Sequence, residues 1–125
     1  MELNDITESI IGAAIDVHKE IGPGLLESIY QKCLVHELKL RGLNIETEVS
    51  IPIQYKDLEL KDACRADMLV ENKVIVELKA VDNMHSVYTA QLLSYLKMSS
   101  LSLGLLINFN VSRLAEGVKR VVNNY

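Results

Sequence analysis

At 125 residues, nearly half of them apolar, the chain is of single-domain size and can bury a core without disulfide or metal staples, which excludes a disordered polymer. A formal charge of −4 argues against a protein that holds nucleic acid by bulk electrostatics. No apolar run reaches the length of a membrane span, the acidic opening MELNDITESI is unlike a signal peptide, and Cys33 and Cys64 lack metal-ligand spacing; residues 1–125 therefore read as one cytoplasmic domain with reduced thiols.

In chain order, the spacing predicts a first helix over about residues 5–20, with Ile6, Ile10, Ala14, Val17 and Ile21 on one face. Asp5 with Glu8 resembles a capping box, and Gly22-Pro23-Gly24 stops the helix. A second helix is expected over about residues 25–40, striped by Leu26, Ile29, Tyr30, Cys33, Leu34 and Leu38. Lys39 and Arg41 suit its C-terminal dipole, and Gly42 ends it. The period then changes to two: Ile45, Thr47, Val49, Ile51, Ile53 and Tyr55 alternate with polar neighbours, and Pro52 points to a sheet edge. Lys56-Asp57 turns into a second strand over about residues 62–70, and Glu71-Asn72-Lys73 into a third, VIVELKA, at residues 74–80. Turns this short make an antiparallel meander. A third helix covers about residues 86–98, with Val87, Gln91, Leu92, Tyr95 and Leu96 on one side. LSLGLLINF, residues 101–109, reads as a strand buried on both faces; preceded by strand and helix, it implies a parallel crossover. The tail from Ser112 reads as a short helix. The expected architecture is α/β in the order ααβββαβ(α), a mixed sheet flanked by helices.

A few polar groups do not belong to this pattern. Asp67 is an acid inside a strand, on the face of Arg65 and Leu69, while Ala66, Met68 and Val70 share the other face. Glu77 and Lys79 point the same way from a strand whose other positions are apolar. The intervening turn makes the two strands neighbours, so Asp67 can approach Glu77. Two such carboxylates repel unless something positive lies between them, and a hard divalent cation with oxygen ligands is the usual solution. The plain alternative is a solvated Glu–Lys ion pair.

Asp67 followed by Glu77-Leu78-Lys79 resembles the signature of the PD-(D/E)xK nuclease superfamily. Gln91-Leu92-Leu93-Ser94-Tyr95 is similar to the QxxxY motif of its RecB-like branch, and Gly24-Leu25-Leu26-Glu27-Ser28-Ile29-Tyr30 to the motif that names the GxxExxY family. The resemblance spans about residues 10–110, with the motifs in the expected order. One departure is Ala66, which stands where the superfamily's name places proline. The resemblance implies a restriction-endonuclease-like core and hydrolysis of phosphodiester bonds with Mg²⁺ or Mn²⁺. It implies Asp67 and Glu77 as core metal ligands, Glu27 as the helix-borne acid completing the metal site, and Lys79 as the catalytic lysine. Gln91 then orients the lysine or the substrate, with Tyr95 one turn below it, and Arg65, Tyr30 and Tyr95 bind substrate or support the site.

Structural roles compete at several of these positions. Glu27 and Tyr30 can simply cap and pack the second helix, Gln91 can be a helix-border residue, and Tyr95 can be core. His18 and His85 are either neighbours of the site or structural, and His36 has no evident partner. Arg65 is either a phosphate contact or a partner for one of the acids. Setting aside the three proposed ligands leaves 14 acids against 13 bases, so nucleic acid is not forbidden. Lys97, Arg113, Lys119 and Arg120 could contribute a basic surface. Engagement is expected to be weak, transient or partner-dependent, with DNA ahead of RNA. The alternatives are a catalytically weak or inactive nuclease-fold module acting in binding or assembly, and an enzyme on another phosphate-containing substrate. An exposed strand edge points to a homodimer.

Overall fold

Apolar residues at helical spacing begin the chain, and they form α1, Leu3–Ile21. The computed structural model describes residues 1–124. The expected capping box does not form. The helix starts two residues earlier than its pattern suggests, Glu2 occupies the N-cap without a side-chain bond, and Asp5 lies in the first turn, where its charge suits the dipole. Gly22, at φ +71°, stops the helix with its N–H on the His18 carbonyl.

The second helix, α2, spans Glu27–Leu40. Its buried stripe is narrower than predicted: Tyr30, Leu34 and Leu38 are fully buried, whereas Leu26 is 71% exposed and Ile29 is also exposed. Leu26 is the N-cap, so it lies outside the helix and off the buried face.

Strands β1 (Ile45–Tyr55), β2 (Leu58–Val70) and β3 (Val74–Lys79) form the antiparallel meander. The Lys56-Asp57 turn is a two-residue hairpin loop, because Tyr55 pairs directly with Leu58; β2 therefore begins earlier than expected. The β1–β2 ladder is irregular between Ile51 and Ile53, across Pro52, which has no N–H to give. Helix α3 (Ser86–Ser99) then leads to β4 (Leu103–Asn108), which runs parallel to β3 and is buried throughout. Val87, placed on the inward side by the sequence pattern, is exposed; Leu92, Tyr95 and Leu96 carry the packing. The short helix expected from Ser112 does not form: the tail is a 3₁₀ turn, Leu114–Gly117, followed by a fifth strand, β5 (Val118–Val122), antiparallel to β4. Valines in this segment favour extended backbone, and the open edge of β4 supplies the ladder. The sheet order is β1-β2-β3-β4-β5.

Two cores sandwich the sheet. Against α1 and α2 lie Met68, Val70, Val76, Leu78, Leu105 and Ile107; against α3 lie Ile51, Ala66, Ile75, Leu106 and Val121. Alternation along β3 supplies both, and each fully buried Leu or Ile is worth roughly 1.5–3 kcal/mol. His18 belongs to this framework: its Nε2 is 2.8 Å from the Val111 carbonyl, tying α1 to the loop after β4. His36 is exposed on α2, and Cys33 and Cys64 are free thiols. The four bases do not form one surface. Arg120 donates to Thr7 Oγ1 and Asn4 Oδ1 of α1, while Lys119, its neighbour on β5, faces the α3 side. No helix among the described residues is long and apolar enough to cross a membrane.

Candidate active site

The β2–β3 ladder pairs Val70 with Val74, Leu69 with Ile75 and Met68 with Val76, and then ends. Asp67 and Glu77 are next in that register. Here the side chains take over from the backbone. Glu77 Oε2 accepts the Asp67 N–H at 2.8 Å, and Asp67 Oδ2 accepts the Leu78 N–H at 2.8 Å. Each carboxylate thus satisfies a backbone donor of the other strand, which holds two acids side by side as the strands part.

The hairpin also rolls over at this point. Ala66 packs against α3, while Met68 and Val70, at the same parity, pack against α1 and α2. The expectation that all three share one face is corrected, because strict alternation fails where the strand twists sharply. On β1, Glu48 lies between Thr47 and Val49, the partners of Met68 and Ala66, and has φ +51°.

Glu77 is buried, at 5% exposure. Burial first, and the charge of Asp67 second, push its carboxyl from 4.5 up to about 8. A side-chain hydrogen bond with Asp67 adds to the rise, while the Asp67 N–H and the Lys79 ammonium oppose it. Glu27, in the first turn of α2, belongs to the same field. Its carboxyl is raised, mainly by burial, then by Asp67 and, after an opposing effect of Lys79, by Glu48.

The loop before α2 explains how Glu27 is placed. Gly24 at φ +95° makes the turn, in a conformation that costs glycine little. Tyr30, one turn after Glu27, donates its hydroxyl to the Gly22 carbonyl at 2.6 Å and accepts the Leu25 N–H at 3.1 Å. Its ring stacks on Phe109 at 4.4 Å between centroids. Tyr30 is therefore a buried brace for the turn carrying Glu27. Its spacing from Gly24 and Glu27 follows from that geometry.

Lys79 follows Glu77 on the same side of β3, and its Nζ lies 4.5 Å from the centroid of the Tyr88 ring. Gln91 is exposed on α3, and its side chain bonds to no described residue. Tyr95 is buried against the sheet, and its hydroxyl's pKa is raised by burial first and by Glu77 next. Arg65 is exposed, and ion pairs among the described residues involve Arg41 alone, so Arg65 neutralises none of the acids. His85 is exposed ahead of α3, its ring edge-on to Tyr88 at 5.8 Å.

Sequence reasoning missed Glu48 and Gln31. Gln31 Nε2 donates to Glu48 Oε1 at 3.1 Å and to the Asp67 carbonyl at 3.3 Å, linking α2 to both strands. Glu48 resembled one more solvent-facing residue of an alternating strand. The available signal for Gln31 was its position four residues after Glu27, on the same helix face.

Among the described residues, no three His, Cys, Asp or Glu side chains converge as a ready-made metal cage. The donor set nevertheless fits a hard divalent cation. Asp67 and Glu77 are oxygen donors held in contact at a cost in repulsion and desolvation, and each has a second oxygen beyond its backbone bond.

A family model of the PD-(D/E)XK nuclease superfamily matches residues 4–121. No curated protein matches the chain. The crystal structure of SSO0001 is similar in fold, with a TM-score of 0.51 at 18% identity. The match covers 96% of this chain and 66% of that one.

Proposed function

The chain belongs to the PD-(D/E)XK nuclease superfamily, and from that premise we propose that it is a metal-dependent nuclease of the GxxExxY type, in the RecB-like branch, acting on nucleic acid in the cytoplasm. The observation that carries this reading is the crossed pair of carboxylates at the end of the β2–β3 ladder. A protein gains nothing in stability by holding a buried acid against a half-buried one; the arrangement is useful when a cation joins them.

Asp67, Glu77 and Glu27 are the residues that would hold Mg²⁺ or Mn²⁺. When bound, such an ion neutralises charge on a scissile phosphate and makes a coordinated water more acidic. Lys79 offers its ammonium to the phosphate oxygens as negative charge grows there. Gln91, exposed on α3, has an unused amide for the substrate, and Arg65 is an unpaired cation on the strand that carries Asp67. Tyr30 and Tyr95 support the site from within. Glu48 adds negative charge at the rim, and Gln31 fixes α2 to the strand carrying Asp67.

DNA is the first substrate to try, ahead of RNA, and binding is expected to be weak or to need a partner. A homodimer is part of the proposal; Tyr55, Leu58 and Leu60, exposed on the β1–β2 hairpin, support it. Sedimentation velocity tests it.

The deciding experiment combines calorimetry with a cleavage panel. Mn²⁺ or Mg²⁺ is expected to bind the wild-type protein, and one of single- or double-stranded DNA or RNA to be cut. Glu77→Gln is expected to lose both activities. Equal cleavage by the two proteins rejects the site, and absence of metal binding favours a binding or assembly module.

A further inference from the structure

We infer that Tyr88 is the positioning residue for Lys79; the family resemblance implied Gln91 as the residue orienting either the lysine or the substrate. The inference rests on the nuclease reading for its catalytic consequence but not for its geometry. A lysine two residues from one buried acid and within the field of two others would ordinarily close an ion pair. Lys79 makes none: within 4 Å, ion pairs among the described residues are those of Arg41 with Asp16 and Glu37. Its Nζ instead sits over the Tyr88 ring, 4.5 Å from the centroid. It remains close enough to the acids to lower the pKa of both Glu27 and Glu77.

The ring face explains this placement. Its negative quadrupole attracts the ammonium without taking its N–H groups in strong hydrogen bonds, so the donors stay available to an anionic ligand. A flexible four-carbon stem loses much rotamer freedom when it engages a phosphate, and a stem already held loses less. Tyr88 is itself fixed. It is half-buried in the first turn of α3, its N–H meets the His85 carbonyl at 3.1 Å, and the His85 ring meets it edge-on. The helix beneath is anchored by Leu92, Tyr95 and Leu96. Gln91 is three residues further on, on the same side of α3, exposed and without a bond to the lysine.

The test uses full-length protein carrying ¹³C-labelled lysine, with the Lys79 ε-methylene resonance assigned by its loss in Lys79→Arg. Ring current is expected to move that resonance upfield of the lysines that face no ring in the wild type, Tyr88→Phe and Gln91→Ala; Lys56, 5.2 Å from the Tyr55 centroid, is the other lysine over a ring among the described residues. In Tyr88→Leu it is expected to return to the ordinary position. On the substrate found by the cleavage panel, Tyr88→Leu is expected to lose roughly tenfold in kcat with KM little changed. Tyr88→Phe should stay near wild type. An unmoved resonance in Tyr88→Leu overturns the inference, and so does equal loss of activity in the Phe and Leu variants, which would give the role to the hydroxyl. A wild type that cuts nothing overturns the nuclease reading, and the resonance then decides alone whether Tyr88 holds the ammonium.

Discussion

On the proposed reading, Glu77 carries opposed demands of stability and chemistry. Its folded-state carboxyl titrates at about 8 against an ordinary 4.5. The metal-free folded protein therefore keeps a proton that the unfolded chain releases, and the stabilisation is fully present below pH 4.5 and lost as pH rises through about 8. In EDTA, the urea midpoint of the wild type should fall between pH 5 and pH 8. Glu77→Gln, which cannot ionise, should fall much less and be the more stable protein at pH 8. Superimposable pH profiles for the two would remove the claim that this carboxyl is buried against repulsion. The same substitution is expected to abolish cleavage, so gain in stability and loss of function should appear together. Asp67, Glu77 and Lys79 were legible in the sequence as candidate site residues because an acid in a strand, and an acid and a lysine at spacing two in an apolar strand, violate the local rule. Glu48 and Gln31 were not legible, because each obeys its local rule and acquires meaning only from its neighbours across the fold.

At the level of elements, a helix, a turn and two strand ends must meet for the acids to share a site. Tyr30→Phe keeps the stack on Phe109 but removes both bonds to the Gly22–Leu25 turn. A loss of about 1–3 kcal/mol in urea unfolding is expected, with weaker Mn²⁺ binding by calorimetry because Glu27 is no longer held. Stability loss with unchanged Mn²⁺ affinity would assign Tyr30 to packing alone. Helix α3 rides close on β4 at Gly104, where an added Cβ would lie 3.0 Å from the tip of Leu92. Gly104→Val should therefore cost about 1–3 kcal/mol by overpacking, read as a shifted unfolding midpoint, and should lift the helix that carries Tyr88. Element type was largely readable from periodicity. The β1–β2 hairpin was harder, since Ala66 and Met68 have the same parity and yet pack on opposite faces, and no period predicts where a strand rolls.

For the whole molecule, charge limits how the proposed nucleic-acid substrate would be held. The net charge is −4, Arg120 is committed to α1, and Lys119 faces the other side of the sheet. Binding of an oligonucleotide, followed by fluorescence anisotropy in Ca²⁺, should show a shallow salt dependence, with a slope of log K on log salt no steeper than about −3. A slope near −8 would overturn this expectation. By itself, the sequence determined the order of helices and strands as far as β4, the parallel pairing of that strand, and the residues whose chemistry is out of place. These follow from period, turn length and local chemistry, which are properties of neighbours in the chain. Only the tertiary structure decided that the Asp67 and Glu77 carboxylates each accept a backbone N–H of the other's strand, that Gln31 and Glu48 join them, that Lys79 lies over Tyr88, and that the tail completes the sheet. Those facts depend on where strands part and which edge lies open, and such distances arise between residues that the chain keeps far apart.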